Sequence, residues 1–428
     1  MILIGKVQSQ VPTVPCANAT VQVNGIPEET IAPGGTLNII GTLDGTTGGT
    51  YDAGTNTLSF TSASGWIRNP DWPAMPTPSA EQFIGLLAVF ENRTNRITMT
   101  VNGVSLVDYG DGTTVNSNGT AQLKTYDYAT LAQPVYVDPV TGENYKMVLV
   151  TITRIAANIT DITFTGGIQN WLDIYAALPN ATNLNFVVSN RPLYLCERMR
   201  ILTLSAAYNT PDRLVLGSYG LAVFEFPFSN VGNWSSLLSN TGPIHNLGNI
   251  TGTAATITSM LSGSLTNHIG TITNNTATNW SFMLDGMILL ESVVALVSSS
   301  CTNCTVTLRN ARRLRGVITV NMPALQNISN FAQNSPLVEG FIFTNAAAIT
   351  TTTSAFDGCY SMGHLEMNGL TLAGISVNGC NFTAVNLDLL MTSIGTATGA
   401  LTLDLRNNPG SATCTTSIGT GKGWTVLT

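Results

Sequence analysis

The sequence predicts a mainly β protein: an N-terminal β domain or arm, a β-sandwich, and a C-terminal irregular solenoid of short repeats. Three observations carry this expectation. Charged residues make up only 10% of the 428, against about 25% in an ordinary soluble domain, and Thr, Ser, Asn and Gly take their place. Short β-branched and aromatic runs alternate with Gly and Pro turn signals. Paired apolar residues recur about every 24 positions in the C-terminal half, a spacing typical of stacked coils.

Composition also limits function. With 44% hydrophobic residues and a net charge of -7, the chain can build a core and is not a charge-rich disordered polymer. Its 17 Lys and Arg are scattered and form no stripe able to neutralise a run of phosphates, so no nucleic-acid partner is expected. Three His and 24 carboxylates are a thin stock of general acids and bases. No catalytic residue, cofactor or metal is assigned from the sequence. Residues 1–10 have neither the basic start nor the apolar run of a signal peptide. The most apolar stretch, Met283 to Val297, contains Asp285 and Glu291 and is too short for a membrane helix, so no membrane insertion is expected.

In chain order, residues 1–68 read as a Gly/Thr-rich β anchoring domain. Thr20–Val23, Thr36–Ile40 and Thr57–Phe60 alternate as strands do, and Pro33-Gly34-Gly35, Thr47-Gly48-Gly49 and Ala53-Gly54 punctuate them. Residues 69–79 hold four prolines and read as a stiff linker. Residues 80–153 contain strand-like runs at Leu86–Phe90, Ile97–Val101 and Tyr145–Thr153, with Val107-Asp108-Tyr109-Gly110-Asp111-Gly112 as a tight turn. Asp108 and Asp111 are suited to accept amides of that turn, and Gly110 and Gly112 to adopt positive φ. This order, with Lys124-Thr125-Tyr126 following the turn, resembles the PKD-like immunoglobulin-type sandwich, which implies a spacer or binding module.

Residues 154–428 read as repeats with a C-terminal cap. Phe356, Met362, Leu365 and Met367 define an anchor followed by apolar positions 6, 9 and 11 later. Leu308/Leu314/Val317/Thr319 and Leu193/Met199/Leu202/Leu204 share the spacing, and Phe331/Leu337/Phe341/Phe343 fits with one residue more. Shorter echoes are Leu184/Phe186, Phe224/Phe226, Val385/Leu387 and Leu401/Leu403/Leu405. Val317, Phe341 and Leu365 lie 24 apart and are expected to stack, buried, on parallel strands. Residues 229–280 register poorly, and Leu403 to Gly410 reads as the last strand. With Cys359 at the cysteine position, the units resemble BspA-like leucine-rich repeats.

Candidate site residues are each read beside a plainer role. His245, His268 and His364 fall in separate repeats with no adjacent nucleophile motif. Asp108 and Asp111, with Asp138 and Glu143, form a candidate Ca²⁺ set, read first as turn caps. Arg309, Arg312, Arg313 and Arg315 are the one basic cluster, a solvated coil edge or a grip on an anionic glycan or a neighbouring subunit. Trp171, Trp234 and Trp280 are candidates for stacking on sugars or for packing. The seven Cys (16, 196, 301, 304, 359, 380, 414) read as buried thiols, and Cys301–Cys304 is a CxxC without the two further ligands zinc needs. Asn-X-Ser/Thr triplets such as Asn18-Ala19-Thr20, Asn158-Ile159-Thr160 and Asn327-Ile328-Ser329 are read as chance products of composition, with none glycosylated. The two resemblances together are similar to structural proteins of phages. They imply a fibre, tail or capsid-decorating protein, assembled in the host cytoplasm. Its expected partners are copies of itself, other virion proteins and a host-surface glycan or protein receptor. A cell-surface adhesin and a glycan-depolymerising spike are the alternatives.

Overall fold

A computed structural model describes residues 69–428, except 139–140, 166–168, 188–194, 209–213, 215–219, 243 and 245–246; of the first 68 residues it describes the backbone of six short strands. The chain divides into two compact units, Met1–Pro76 and Thr77–Thr428. The division falls inside the Pro-rich stretch.

In the first unit the strands are β1 (Ala19–Val23), β2 (Ile26–Ile31), β3 (Thr42–Leu43), β4 (Thr50–Asp52), β5 (Thr57–Phe60) and β6 (Ile67–Arg68). One sheet runs β2-β1-β5-β4, and β3 pairs with β6. The sequence-derived strands at 20–23 and 57–60 are present; the one at 36–40 lies outside the described residues.

The second unit opens with β7 (Gln82–Phe90), β8 (Arg96–Asn102), β9 (Ser105–Asp108), β10 (Thr114–Ser117), β11 (Gln122–Thr125), β12 (Tyr136–Val137) and β13 (Asn144–Arg154). Then come β14 (Asp161–Thr165), β15 (Trp171–Leu178), β16 (Asn183–Val187), β17 (Arg198–Leu204) and β18 (Val223–Glu225). Two sheets form, β10-β9-β13-β7-β15-β17-β18 and β11-β8-β14-β16. They share one core: Phe83 of the first meets Phe164 of the second at 5.2 Å between ring centroids, and Trp171 and Phe186 close on the same ring. Gly85 makes room for this, since a Cβ there would lie 2.2 Å from the Trp171 ring.

The boundary expected after residue 153 does not interrupt the structure. β14 returns to pair antiparallel with β8, and β15 with β7. From there both sheets grow by parallel strands, β14 to β16 and β15 to β17 to β18. The sandwich therefore hands its strand edges directly to the solenoid, and each new strand meets a template already in place.

The solenoid proper has one parallel sheet of β19 (Ile250–Gly252), β20 (His268–Asn274), β21 (Ser292–Val297), β22 (Val317–Asn321), β23 (Gly340–Phe343) and β24 (His364–Met367). Phe341 lies opposite Leu365, and both are buried. Val317 does not join them. It is 44% exposed, and Ile318 takes the buried place opposite Phe341. This coil carries an extra residue before the strand, at Gly316 with φ +78°, which slips the inward phase by one. In the same way Val338 rather than Leu337, and Ile201 rather than Leu202, face the core.

A second ladder runs along the opposite side of each coil. Asn233, Thr256, Asn279, Asn303, Asn327 and Thr351 stand at equivalent positions, 23 or 24 residues apart. Counting from Asn233, Asn279, Asn303 and Asn327, the amides 1, 3, 5 and 7 residues on donate to carbonyls of the following coil, and from Thr256 those 3, 5 and 7 residues on do so. Trp280, Phe282, Leu284 and Gly286 donate to Asn303, Thr305, Thr307 and Arg309 at 2.8–3.2 Å. Cys304, Val306, Leu308 and Asn310 repeat the pattern onto the next coil. The residues at offsets 3 and 7 take left-handed φ, from Ser236 and Asn240 through Val306 and Asn310 to Ser354 and Gly358. They bend the chain while keeping alternate amides aimed at the next coil.

Four Asn-X-Ser/Thr triplets belong to this ladder, so the chance reading is wrong for those four. Asn233, Asn279, Asn303 and Asn327 each accept, through Oδ1, the amide two residues on at 2.9–3.0 Å. The residue between is core: Trp234, Trp280, Cys304, Ile328. Ser and Thr are favoured because their hydroxyls reach the same Oδ1, at 2.6 Å in Ser281 and Thr305. Residues 229–280, which register poorly by hydrophobic pattern, register well by these turns.

The end also differs from expectation. Val385 and Leu387 lie on a helix, α1 (Ala384–Ser393), not a strand, and Val385 is exposed. β25 (Ile375–Ser376) pairs β26 (Thr402–Asp404), and after a short α2 (Ser417–Thr420) a further strand, β27 (Thr425–Leu427), pairs β26. Lys422 Nζ donates to the Met391, Thr392 and Ile394 carbonyls at 2.6–3.0 Å, satisfying the C-terminal end of α1.

Two stability outcomes follow from the register. Leu365→Ala should cost about 2–5 kcal/mol, whereas Val317→Ala should stay within about 0.5 kcal/mol, measured by urea unfolding; equal costs would contradict the phase slip. Asn303→Ala removes the acceptor for Thr305 and the donor to Ser281, and should cost about 1–2 kcal/mol. Asn303→Asp keeps the acceptor and should cost less.

Candidate recognition surface on the solenoid

The sequence-derived candidates separate into residues the fold consumes and residues it leaves facing solvent. Trp171, Trp234 and Trp280 are fully buried, so the stacking role is overturned and packing stands. Trp171 Nε1 donates to Gln169 at 2.9 Å.

The proposed Ca²⁺ set does not assemble. Asp108 accepts the Gly110 amide and Asp111 the Thr113 amide, at 2.9 and 3.1 Å. Gly110 and Gly112 have φ of +73° and +87°, as the turn requires. Asp111 is then claimed by Lys124 at 2.5 Å. Burial works against its charge, but hydrogen bonds from Lys124 and Thr113 outweigh that and hold its carboxyl below the usual range. Asp138 receives the Thr141 hydroxyl at 2.9 Å, and Glu143 pairs with Arg93. Among the described residues no three His, Cys, Asp or Glu converge on a metal position.

His245 lies outside the described residues. His364 bonds Glu366 at 3.1 Å on the same strand. His268 meets Ser292 of the next coil, Nδ1 to Oγ 3.0 Å, and Glu291 stands 3.8 Å from Nε2. Sequence reading did not anticipate this meeting of Ser, His and Glu; the repeat spacing alone could have indicated it. The carboxylate is beyond hydrogen-bond range, and both side chains are about half exposed. The relay that orients a general base is not formed.

The described cysteines are free, and Cys16 lies outside the described residues. Cys301 and Cys304 face each other at 3.5 Å between sulfurs, fully buried. Burial pushes the Cys304 and Cys359 thiols well up and Cys380 to about 12.

The basic cluster is divided by the fold. Arg309 forms a two-point bond to Asp285 of the preceding coil, Nε–Oδ1 2.9 Å and Nη2–Oδ2 2.8 Å. Arg315 follows the sheet edge between Glu291 and Glu339: its amide bonds the Glu291 carbonyl, and the Glu339 amide bonds Gly316. Arg312 and Arg313 are exposed and make no ion pair among the described residues. Nine residues after the last four ladder positions stand Ile288, Arg312, Pro336 and Tyr360; ten after stand Leu289, Arg313, Leu337 and Ser361. Ile288 is exposed, and Tyr360 is 69% exposed. Two guanidiniums thus sit on a ridge whose other members, Ser361 apart, are apolar or aromatic.

Comparison of the chain with protein-family models, curated proteins and solved structures returns no match.

The thiols give a direct check on the solenoid interior. The thiolate is the reactive form, so a raised pKa leaves little of it at pH 8. In a Cys16→Ser background, native protein at pH 8 should yield less than one equivalent to an aromatic disulfide reagent, and six after denaturation. Two or more fast native thiols would contradict the burial, and four after denaturation would show Cys301 bonded to Cys304.

Proposed function

We propose that the protein is a structural component of a bacteriophage virion, in a fibre, tail or capsid-decorating position, and that it attaches to the host surface. In this reading the sandwich is a PKD-like spacer and the coils are of the BspA-like leucine-rich-repeat kind. The observation that supports it is the division of labour within each coil. Interior positions repeat, and Asn, Ser and Thr side chains bond coil to coil, while exterior positions differ from one coil to the next. That arrangement suits display of a recognition surface. The scarcity of charge suits close packing in an assembly, because few ions must be stripped of water when neighbours meet. The step from architecture to role is by analogy.

Residues 1–68 are assigned to anchoring and the solenoid to outward recognition. Antibody raised against residues 305–428 and carried on gold should label phage particles at the periphery of one structure. Label confined to a cell envelope would point instead to an adhesin. Deleting residues 1–68 should abolish incorporation into particles and leave the thermal unfolding of the remainder unchanged; incorporation of that deletion would reverse the polarity.

A further inference from the structure

We propose that the ridge carrying Arg312, Arg313 and Tyr360 binds a carboxylated saccharide. This deepens the attachment role proposed above by naming its ligand class.

Asp285 neutralises Arg309, whereas Arg312, Arg313 and Arg315 are exposed and make no ion pair among the described residues; Arg315 is tied to the preceding coil through its backbone amide, which bonds the Glu291 carbonyl. No carboxylate occupies the ladder positions beside Arg312 or Arg313: they are Ile288 and Leu289 on one side, Pro336 and Leu337 on the other. In a chain with an excess of carboxylates, two adjacent arginines with apolar neighbours are an exception. Exposed cations in a fold gain little unless something meets them, so the unfilled charge marks the ligand as anionic.

Geometry and residue type narrow the anion. A guanidinium is a planar fork that matches a carboxylate at two points. Coils in a parallel stack are about 4.8 Å apart. Tyr360 lies two coils beyond Arg312, so its ring is about 10 Å along the ridge, within reach of one ligand touching both. An exposed aromatic face packs on the C–H surface of a pyranose ring, and Pro336 and Leu337 offer a further apolar floor between. A uronic-acid oligomer has both properties, a carboxylate on each unit and ring faces between them. Three exposed arginines are too few for a nucleic-acid backbone, whose binding depends on neutralising many phosphates.

The test uses the full chain and three forms of one sugar scaffold in titration calorimetry. Oligogalacturonate should bind, and its methyl-esterified form, equal in shape but uncharged, should bind at least tenfold more weakly. Arg312→Ala/Arg313→Ala should abolish binding, and Tyr360→Ala should weaken it several-fold. Arg312→Lys/Arg313→Lys, which keeps the charge and loses the fork, should also weaken it. The thermal midpoint of each variant should match the parent, since neither arginine holds an ion pair.

Several results would overturn the proposal. They are equal binding of the esterified form, unchanged binding by the double alanine variant, and no binding of oligogalacturonate at all. Equal binding of dextran sulfate, with full retention in the lysine variant, would show bare charge attraction instead. Tighter binding of poly-glutamate than of oligogalacturonate would assign the ridge to an acidic protein. Any of these leaves the particle-labelling result untouched, so failure of the ligand class and failure of the virion role are separable.

Discussion

A coil of this protein cannot satisfy its own backbone. Each turn of chain presents amides and carbonyls along its edges, and only the adjacent coil supplies their partners. Buried or semi-buried peptide groups left unmet cost about 1–3 kcal/mol apiece, so no coil is stable alone and each depends on its neighbour. This requirement fixes the recurring Asn, the left-handed residues three and seven places on, and the narrow 23- to 24-residue spacing. It also fixes how the solenoid begins. The first parallel strands need an existing edge, and the sandwich provides two, β8 through β14 and β7 through β15.

Polar composition follows from the same constraint. Low charge and abundant Asn, Ser and Thr look at first like the marks of a sticky surface. Much of that polarity is internal to the coils. Asn274 is fully buried, bonds the Ala254 carbonyl and accepts the Thr276 and Ala277 amides. Asn408 does comparable work in the last coils, donating to Val377 and Leu405 and accepting from Phe382. Such side chains close turns that would otherwise leave peptide groups unmet. What remains on the exterior differs from coil to coil, and the ridge of Arg312, Arg313 and Tyr360 lies there.

Much of the fold was legible, and the misses have a common cause. The mainly β class and the C-terminal solenoid could be read from alternation and from Phe341 and Leu365. Hydrophobic spacing misplaced Val317, Leu337 and Leu202, because a single extra residue such as Gly316 flips the inward face while leaving the spacing plausible. The more reliable ruler was polar: the Asn-X-Ser/Thr triplets keep register through coils where apolar spacing fails, and they were discounted as products of composition. The helix at Ala384–Ser393 was read as strand because Val385 and Leu387 imitate an L-x-L pair. Of the candidate residues, the tryptophans and the acidic group proved structural once tertiary partners were visible. Arg309 separated from the other arginines only when the stacking brought Asp285 into place, which sequence distance concealed.

The central claim is that coil-to-coil bonding on both sides makes sandwich and solenoid one cooperative body. Native-state hydrogen exchange read at single amides tests it most directly. The amides of Trp280, Leu284, Cys304, Leu308, Ile328 and Ala332, which donate across coils, should exchange only through the same large opening as amides of β7 and β13. Rapid exchange at those six positions, with the parallel strands still protected, would show that the second ladder does not hold the coils together and would contradict the account.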